Sequence, residues 1–268
     1  MNNINYYKRV GGSKMKRGKK IIYSLLIFAL TIFTILVSTD VSQSVALYKE
    51  KKLPIYSVDT DEKSIALTFD INWAERDYLL DILQVLDKYD VKATFFIMGG
   101  WVNLSQENVE KLVKIKEGGH EIGNHSYIHP MFTQISLDRI QEEIDKTEKV
   151  FLDTIGSESK LFRFPSGDFN DIVIDYMEKI GYKCIQWNVD SVDYKESGEK
   201  IEYERVINKV KPGSILLFHN NAKYTPVNLE KIIINLRNEG YDFKIISDLI
   251  YDENSYIDQN GIQHKNNY

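Results

Sequence analysis

The sequence predicts an α/β domain of about seven parallel strands, preceded by one N-terminal helix that spans a membrane. Short apolar segments alternate with amphipathic segments along most of the chain, as in strands joined by helices. An uncharged apolar run, residues 21–39, follows a basic N-terminus. With 43% hydrophobic and 27% charged residues among 268, the chain has the composition of a protein with a packed core.

Residues 21–39 are mostly Ile, Leu, Phe and Val, and none of the nineteen is charged. A helix of that length is roughly 28 Å long, close to the thickness of the hydrocarbon core of a bilayer. The basic residues lie on the N-terminal side, so the positive-inside rule places residues 1–20 in the cytoplasm and the body outside the cell. We interpret the run as a single-pass anchor in the cell membrane, and secretion after cleavage at Ala46 is the alternative.

The distribution of charge argues against a nucleic-acid partner. The net charge is −5, but residues 1–20 carry seven basic residues and no acidic one. The remaining chain therefore holds 27 basic and 39 acidic residues, a balance that repels phosphates. Cys184 is the only cysteine and sits in an apolar segment, so we expect a buried, unreactive thiol and no disulfide.

After a polar linker, residues 40–62, the body is expected to cover residues 63–252, with a loosely ordered polar tail over residues 253–268. Seven strands are predicted at Ser64–Asp70, Val91–Met98, Glu121–Asn124, Leu161–Phe164, Tyr182–Trp187, Ser214–His219 and Phe243–Ile246. Helices are predicted near 76–89, 106–117, 136–154, 170–180, 202–210 and 227–239. A barrel and a doubly wound sheet both fit this alternation.

Polar side chains stand where several of these strands end, which is where catalytic groups collect in parallel α/β folds. Asp70 ends the first strand, Arg163 lies in the fourth and His219 ends the sixth. His125 and His129 follow the third strand with a spacing of four, so one helical turn would bring both rings to one side, as a zinc-type ion requires. Taken singly, these residues could equally be helix caps or surface charges.

Together these segments resemble the polysaccharide deacetylases of the NodB-homology type, the family 4 carbohydrate esterases, over roughly residues 60–252. The sporulation-type deacetylases are the most similar subgroup, and the family fold is a distorted (β/α) barrel of seven strands. Five family motifs occur in order, at Thr68-Phe-Asp70, His125-Ser-Tyr-Ile-His129, Arg163-Phe-Pro-Ser-Gly167, Asp190-Ser-Val-Asp193-Tyr194 and Leu217-Phe-His219.

The resemblance implies a metal-dependent hydrolase that removes N-acetyl groups from amino sugars of a cell-wall glycan. A divalent ion, with zinc expected, would be bound by His125 and His129 and would activate the water and the acetyl carbonyl. Asp70 would be the general base, kept ionised by Arg163. The expected partners are therefore the membrane, through residues 21–39, and the glycan substrate, which the body would bind.

The remaining roles also follow from the resemblance. His219 would be the general acid, with Asp193 tuning its pKa. The backbone N–H of Ser166 would stabilise the oxyanion. Leu217 would line the pocket for the acetyl methyl group, while Trp187 and Tyr194 would contact the substrate.

The chain departs from the family pattern at Ile71, where a second aspartate usually binds the metal. Isoleucine cannot coordinate an ion. Because side chains alternate along a strand, Asn72 could share a face with Asp70. The amide oxygen of Asn72 is therefore the expected substitute ligand, and Asp70 itself is the alternative. The alternative function is a degenerate domain that binds cell-wall glycan or assists spore-envelope assembly without catalysis.

Overall fold

The structure is a computed structural model that describes residues 11–46, 51–252 and 254–266. It divides into two compact units, Met1–Glu50 and Lys51–Tyr268. The helices are α1 (Gly11–Ala46), α2 (Leu79–Lys88), α3 (Gly99–Val102), α4 (Gln106–Glu117), α5 (Leu137–Ile155), α6 (Asp171–Lys179), α7 (Glu199–Ile207), α8 (Thr225–Asn238) and α9 (Ile246–Leu249). The strands are β1 (Ser57–Val58), β2 (Ser64–Ile71), β3 (Thr94–Ile97), β4 (Glu121–Asn124), β5 (Leu161–Phe162), β6 (Lys183–Cys184), β7 (Val189–Asp190), β8 (Ile215–His219), β9 (Asp242–Phe243), β10 (Ser255–Ile257) and β11 (Ile262–Lys265).

The N-terminal unit contains the single helix α1, whose segment Gly18–Ile35 is long and apolar enough to cross a membrane. Its large apolar side chains, such as Leu25 and Phe28, are exposed, so this helix does not bury an apolar stripe within its own unit. A helix that is apolar all round needs an apolar surrounding. A membrane anchor and a signal sequence both meet that description.

The second unit is built on a curled half-barrel of parallel strands in the order β6-β5-β4-β3-β2-β8-β7, which confirms the predicted fold class. The seven strands of this path are not quite the seven predicted. β7 was not predicted, because two residues are too short to give a periodic signal. The segment predicted as the last strand contributes only β9, which pairs with the start of β2.

Side chains along β2 alternate between two environments, as in any extended strand. Phe69 and Ile71 belong to the large core between the sheet and the helices. Thr68 and Asp70 lie on the opposite face, inside the curl of the sheet. One strand therefore supplies both the outer core and the floor of the polar site.

The expected linker and tail form a small second sheet, so the prediction of a loosely ordered tail is wrong for residues 254–266. β10 and β11 are antiparallel, and β1, which lies in the expected linker, pairs with β11 in parallel register. Gln263 is buried there, and its amide bonds the backbone N–H and C=O of Tyr251. These strands could not be predicted from the polar sequence, because hydrogen bonds between distant segments stabilise them and no apolar periodicity marks them.

Candidate active site

The polar residues predicted from the strand ends converge at one end of the half-barrel. Asp70 on β2 and His219 on β8 are register partners on adjacent strands, so their side chains start from neighbouring backbone positions. β4 ends at Asn124, directly before His125. The carboxyl ends of parallel strands meet at the same edge of a sheet, which explains why these separate segments share one site.

Arg163 and Asp70 form a buried ion pair. The guanidinium Nη1 donates to Asp70 Oδ1 at 2.8 Å and to Thr68 Oγ1 at 2.9 Å, and Nη2 donates to the carbonyl of Gln186 at 3.0 Å. The guanidinium carbon also lies 4.0 Å from the centre of the Phe96 ring. Burial alone would raise the pKa of Asp70, but the positive charge of Arg163 outweighs it and holds that pKa below its usual value.

His125 is completely buried, with its ring fixed by the backbone. Its Nδ1–H donates to the carbonyl oxygen of Arg163 at 2.9 Å, which leaves Nε2 as the free lone pair. Nε2 lies 3.6 Å from Asp70 Oδ2 and makes no hydrogen bond within the described part of the chain. Burial lowers the pKa of His125 to about 4, so the ring is neutral at physiological pH.

His129 reaches the same region by a different route from the one predicted. Residues 125–129 form a loop rather than a helical turn, and Ser126 and His129 both have left-handed backbone, with φ of 65° and 60°. The two imidazole rings nevertheless meet, with centres 5.0 Å apart. The expected proximity is correct, while the expected helical turn is wrong.

The loop between the two histidines is held by Glu143, a completely buried carboxylate of α5. Its Oε2 accepts hydrogen bonds from the backbone N–H groups of Tyr127 and Ile128, each at 2.8 Å, and Oε1 is bound by Arg139. Sequence reasoning missed Glu143, because it lies in the middle of an amphipathic helix.

His219 and Asp193 form the second charged pair of the site. Nδ1–H of His219 donates to Asp193 Oδ1 at 2.7 Å, and the backbone N–H of His219 donates to Oδ2 at 2.9 Å. Oδ2 also accepts from the Thr225 hydroxyl at 2.5 Å, and Oδ1 from the N–H of Tyr194 at 2.9 Å. Burial would lower the pKa of His219, but Asp193 outweighs it and raises that pKa above 6.5.

Both pairs adjoin one cavity of about 380 Å³, which we call the reaction cavity. It brings together most of the predicted site residues, while Arg163, His125 and Asp193 lie buried behind its wall. Asp190 and Asn221 were not predicted to line it; the amide Oδ1 of Asn221 is buried without a hydrogen-bond partner in the described structure. The described residues that line it are Asp70, Asn72, His129, Ser166, Trp187, Asp190, Tyr194, Leu217, His219 and Asn221.

Ser166 lines this cavity from the turn Pro165–Gly167, with φ of 55°. Its N–H donates to no acceptor among the described residues, whereas the following N–H of Gly167 bonds the carbonyl of Phe164. A backbone N–H left free at a cavity wall is suited to stabilise developing negative charge on a substrate oxygen.

Ile71 points away from the site into the large apolar core, so it neither blocks nor supplies a ligand position. Asn72, the first residue after β2, is clamped by the amide of Asn220, which accepts from the Asn72 N–H at 3.0 Å and donates to its carbonyl at 3.2 Å. The side-chain Oδ1 of Asn72 is buried and has no hydrogen-bond partner in the described structure.

These donors fit a divalent ion, although the described residues contain no group of three His, Cys, Asp or Glu placed to hold one. His125 offers a buried, unpartnered imidazole nitrogen and Asn72 a buried, unpartnered amide oxygen. Native proteins leave few such atoms without a partner. With His129 these residues make a neutral set of two nitrogens and one oxygen, donor types that zinc accepts.

The chain is similar to proteins of one family. The family model for polysaccharide deacetylase matches residues 57–185. The chain is 35% identical to the peptidoglycan-N-acetylmuramic acid deacetylase PdaA of Bacillus subtilis over 76% of its own length and 78% of PdaA. It is also 35% identical to the uncharacterized protein YlxY of the same organism over 80% of its own length, spanning 66% of YlxY.

Solved structures with a similar fold indicate the same family. A mutant of BA3943, a family 4 carbohydrate esterase pseudoenzyme of Bacillus anthracis, has restored enzymatic activity and superposes with a TM-score of 0.69 at 36% identity, covering 74% of this chain and 71% of that one. The structure of Bacillus subtilis PdaA gives a TM-score of 0.68 at 34% identity, covering 73% and 84%. The chain therefore belongs to the polysaccharide deacetylase family, the family 4 carbohydrate esterases.

Proposed function

We propose that this protein removes N-acetyl groups from amino sugars of peptidoglycan or a related cell-wall glycan. The observation that carries the proposal is the pairing of Asp70 with Arg163 and of His219 with Asp193 around one cavity. The first pair lowers the pKa of the Asp70 carboxyl and so keeps it ionised, and the second raises the pKa of the His219 imidazole and so favours its protonated form. Amide hydrolysis at neutral pH needs a base and an acid in these two states.

The two groups divide the proton transfers. Asp70 takes a proton from the attacking water as the water oxygen bonds to the acetyl carbon. His219 gives a proton to the sugar nitrogen as the C–N bond breaks, so acetate and a free amine leave. The N–H of Ser166 faces the oxyanion, Leu217 receives the acetyl methyl group, and Trp187 and Tyr194 border the sugar.

His125 and His129 would hold a divalent ion, zinc being the expected one, with Asn72 Oδ1 as the third protein ligand. Such an ion would polarise the acetyl carbonyl and lower the pKa of the attacking water. An amide oxygen is neutral, so it attracts a cation less than the aspartate that the family usually has in this motif. We therefore expect weaker metal binding than in relatives that keep that aspartate.

The alternative is a domain that binds cell-wall glycan without catalysis. Two observations favour it: Ile71 replaces the usual metal aspartate, and a solved relative, BA3943, is described as a pseudoenzyme. The retained pair of Asp193 and His219 favours an enzyme, because a binding module needs no buried carboxylate to stabilise the protonated form of a histidine.

Acetate release from N-acetylated peptidoglycan tests the proposal, measured on the full-length protein after chelation and after addition of zinc. We expect release that depends on added metal, and a loss of roughly 10²–10⁴-fold in His219→Ala, the usual scale of general acid catalysis. His264→Ala is the matched control, because that histidine lies on β11 and pairs with Asp59. Absence of acetate at saturating zinc, with glycan binding retained, would establish the non-catalytic alternative.

The proposed location is the cell membrane, with α1 as the anchor and the second unit outside the cell. The support is the apolar segment Gly18–Ile35 and the basic residues before it. A cell-wall substrate also requires an extracytoplasmic catalytic unit.

A further inference from the structure

A second cavity adjoins the reaction cavity on the side of His129. Its volume is about 410 Å³, and it is lined by Asn72, Trp73, Met98, Ile128 and His129. Asn72 and His129 line both cavities, so a ligand that extends beyond the reaction cavity at this end enters the second one.

The surface of this second cavity combines three large apolar side chains, Trp73, Met98 and Ile128, with the polar side chains of Asn72 and His129. Trp73 is 39% exposed and Ile128 is 51% exposed, although both are large apolar side chains. Among the residues that the structure describes, this lining contains no carboxylate, ammonium or guanidinium group. Apolar side chains kept in water next to a polar site indicate a surface that is covered when ligand binds.

The Trp73 side chain and the Ile128 backbone are both held in place. The Trp73 indole packs on the backbone of Gly100, where an added Cβ atom would lie 2.8 Å from Trp73 Cη2 and 2.5 Å from the carbonyl oxygen of Tyr127. Only glycine allows this contact. On the other side, Glu143 fixes the backbone of Ile128 through its N–H. A surface fixed in this way loses little conformational entropy when a ligand binds.

We propose that the second cavity is a subsite for the sugar ring next to the one that is deacetylated, with Trp73 as the stacking platform. The inference rests on the proposed function and specifies how its substrate is held. A pyranose ring is neutral, has hydroxyl groups around its edge and exposes C–H groups on its faces. One face can be buried on the indole while the hydroxyls remain in water. The described residues of this lining offer no carboxylate, ammonium or guanidinium group to pair with an ionic ligand.

Binding measurements on the detergent-solubilised full chain separate this subsite from the reaction cavity. The probes are N-acetylglucosamine and its β-1,4-linked pentamer, measured by ligand-observed NMR and by calorimetry, respectively. The variants are Trp73→Ala and Trp73→Phe. The matched control is Leu104→Ala, which removes an apolar side chain that is 66% exposed and lines neither cavity.

We expect Trp73→Ala to weaken pentamer binding roughly 5- to 50-fold, the scale of one aromatic stacking contact, and Trp73→Phe to retain most of the affinity. Monomer binding should change less than about twofold, because the monomer fills the reaction cavity. Equal loss for both ligands, or a pentamer affinity as unaffected as in Leu104→Ala, overturns the subsite.

The proposal and the activity can fail separately. Pentamer binding that depends on Trp73 without acetate release would remove the proposed activity and keep the subsite. Acetate release from the pentamer, with a pentamer affinity that does not depend on Trp73, would keep the proposed activity and remove the subsite.

Discussion

Replacing Arg163 by methionine removes the positive charge beside Asp70 and keeps a side chain of similar length. Arg163 is completely buried, and so is Asp70 apart from a small fraction of its surface. The substitution therefore leaves a largely buried carboxylate without the cation that pairs with it. It also removes the donors to the carbonyls of Ile185 and Gln186, at 3.4 and 3.0 Å.

The magnitude follows from these contacts. Breaking a buried ion pair by removing one partner costs about 3–5 kcal/mol, and an unsatisfied buried carbonyl adds about 1–3 kcal/mol. We expect Arg163→Met to lower the free energy of unfolding by about 4–6 kcal/mol, since such terms are not fully additive. Adding Asp70→Asn to Arg163→Met removes the stranded charge and should recover about 1–3 kcal/mol.

Urea denaturation of Lys51–Tyr268, followed by tryptophan fluorescence, measures the cycle of wild type, two single variants and the double variant. Lys149→Met is the control, because the Lys149–Asp153 pair is exposed, with 74% and 60% of the side chains accessible, and should contribute nothing measurable. If the two single effects simply add, the pair is not energetically coupled and Arg163 does not hold Asp70 ionised.

The same pair has a pH signature. The folded pKa of Asp70 lies below its unfolded value, so its stabilising effect is present above the unfolded pKa of about 3.9 and is lost as pH falls through the folded pKa. In Arg163→Met, burial loses the largest charge that opposes it, so the pKa of Asp70 should rise. The acidic limb of acetate release should therefore move to higher pH, and a limb that stays in place contradicts Asp70 as the base.

Further predictions concern the acid, the metal position and the anchor. In Asp193→Asn, burial should lower the pKa of His219, so the alkaline limb of acetate release should shift to lower pH; an unmoved limb contradicts the assignment. Asn72→Ala should weaken zinc binding roughly 10–100-fold by calorimetry, and unchanged affinity would exclude Asn72 as a ligand. Ile71→Asp should destabilise the protein by several kcal/mol (on the order of 2–7) rather than tighten zinc binding, because it places a carboxylate in the apolar core; tighter binding at unchanged stability would refute this. The full-length protein should fractionate with membranes, and a soluble form cut after Ala46 would refute the anchor.

The parts of the site that the sequence could predict are those that depend on one strand at a time. Asp70 and His219 lie at the carboxyl ends of apolar strands. Parallel strands bring these ends together at one edge of the sheet, independently of the conformation of the loops. Helix positions were also predictable, because amphipathic periodicity is local. α4, for example, begins and ends within one residue of its predicted bounds.

The parts that could not be predicted depend on contacts between distant segments. The left-handed backbone at His129 requires Glu143 on another element to bind the loop, and nothing in the spacing of the histidines reveals it. The clamp of Asn220 on Asn72 joins positions 148 apart in the chain. The hairpin of β10 and β11 depends in the same way on the buried amide of Gln263.

Ile71 shows how the family pattern can change at one position without disturbing the acid and the base. Since neighbouring side chains on a strand point to opposite faces, an apolar residue after Asp70 joins the outer core and leaves Asp70 facing the cavity. Asn72 follows the end of β2, so strand alternation no longer fixes the direction of its side chain. The two hydrogen bonds from the Asn220 amide hold the backbone of Asn72 instead. The proton-transfer groups thus depend on β2 and β8, while the proposed metal ligands depend on the loop after β4 and on the first residue beyond β2. Because the ligands lie outside β2 and β8 themselves, a change at a ligand position can alter the strength of metal binding while the acid–base geometry stays the same, and the proposed activity should follow metal occupancy.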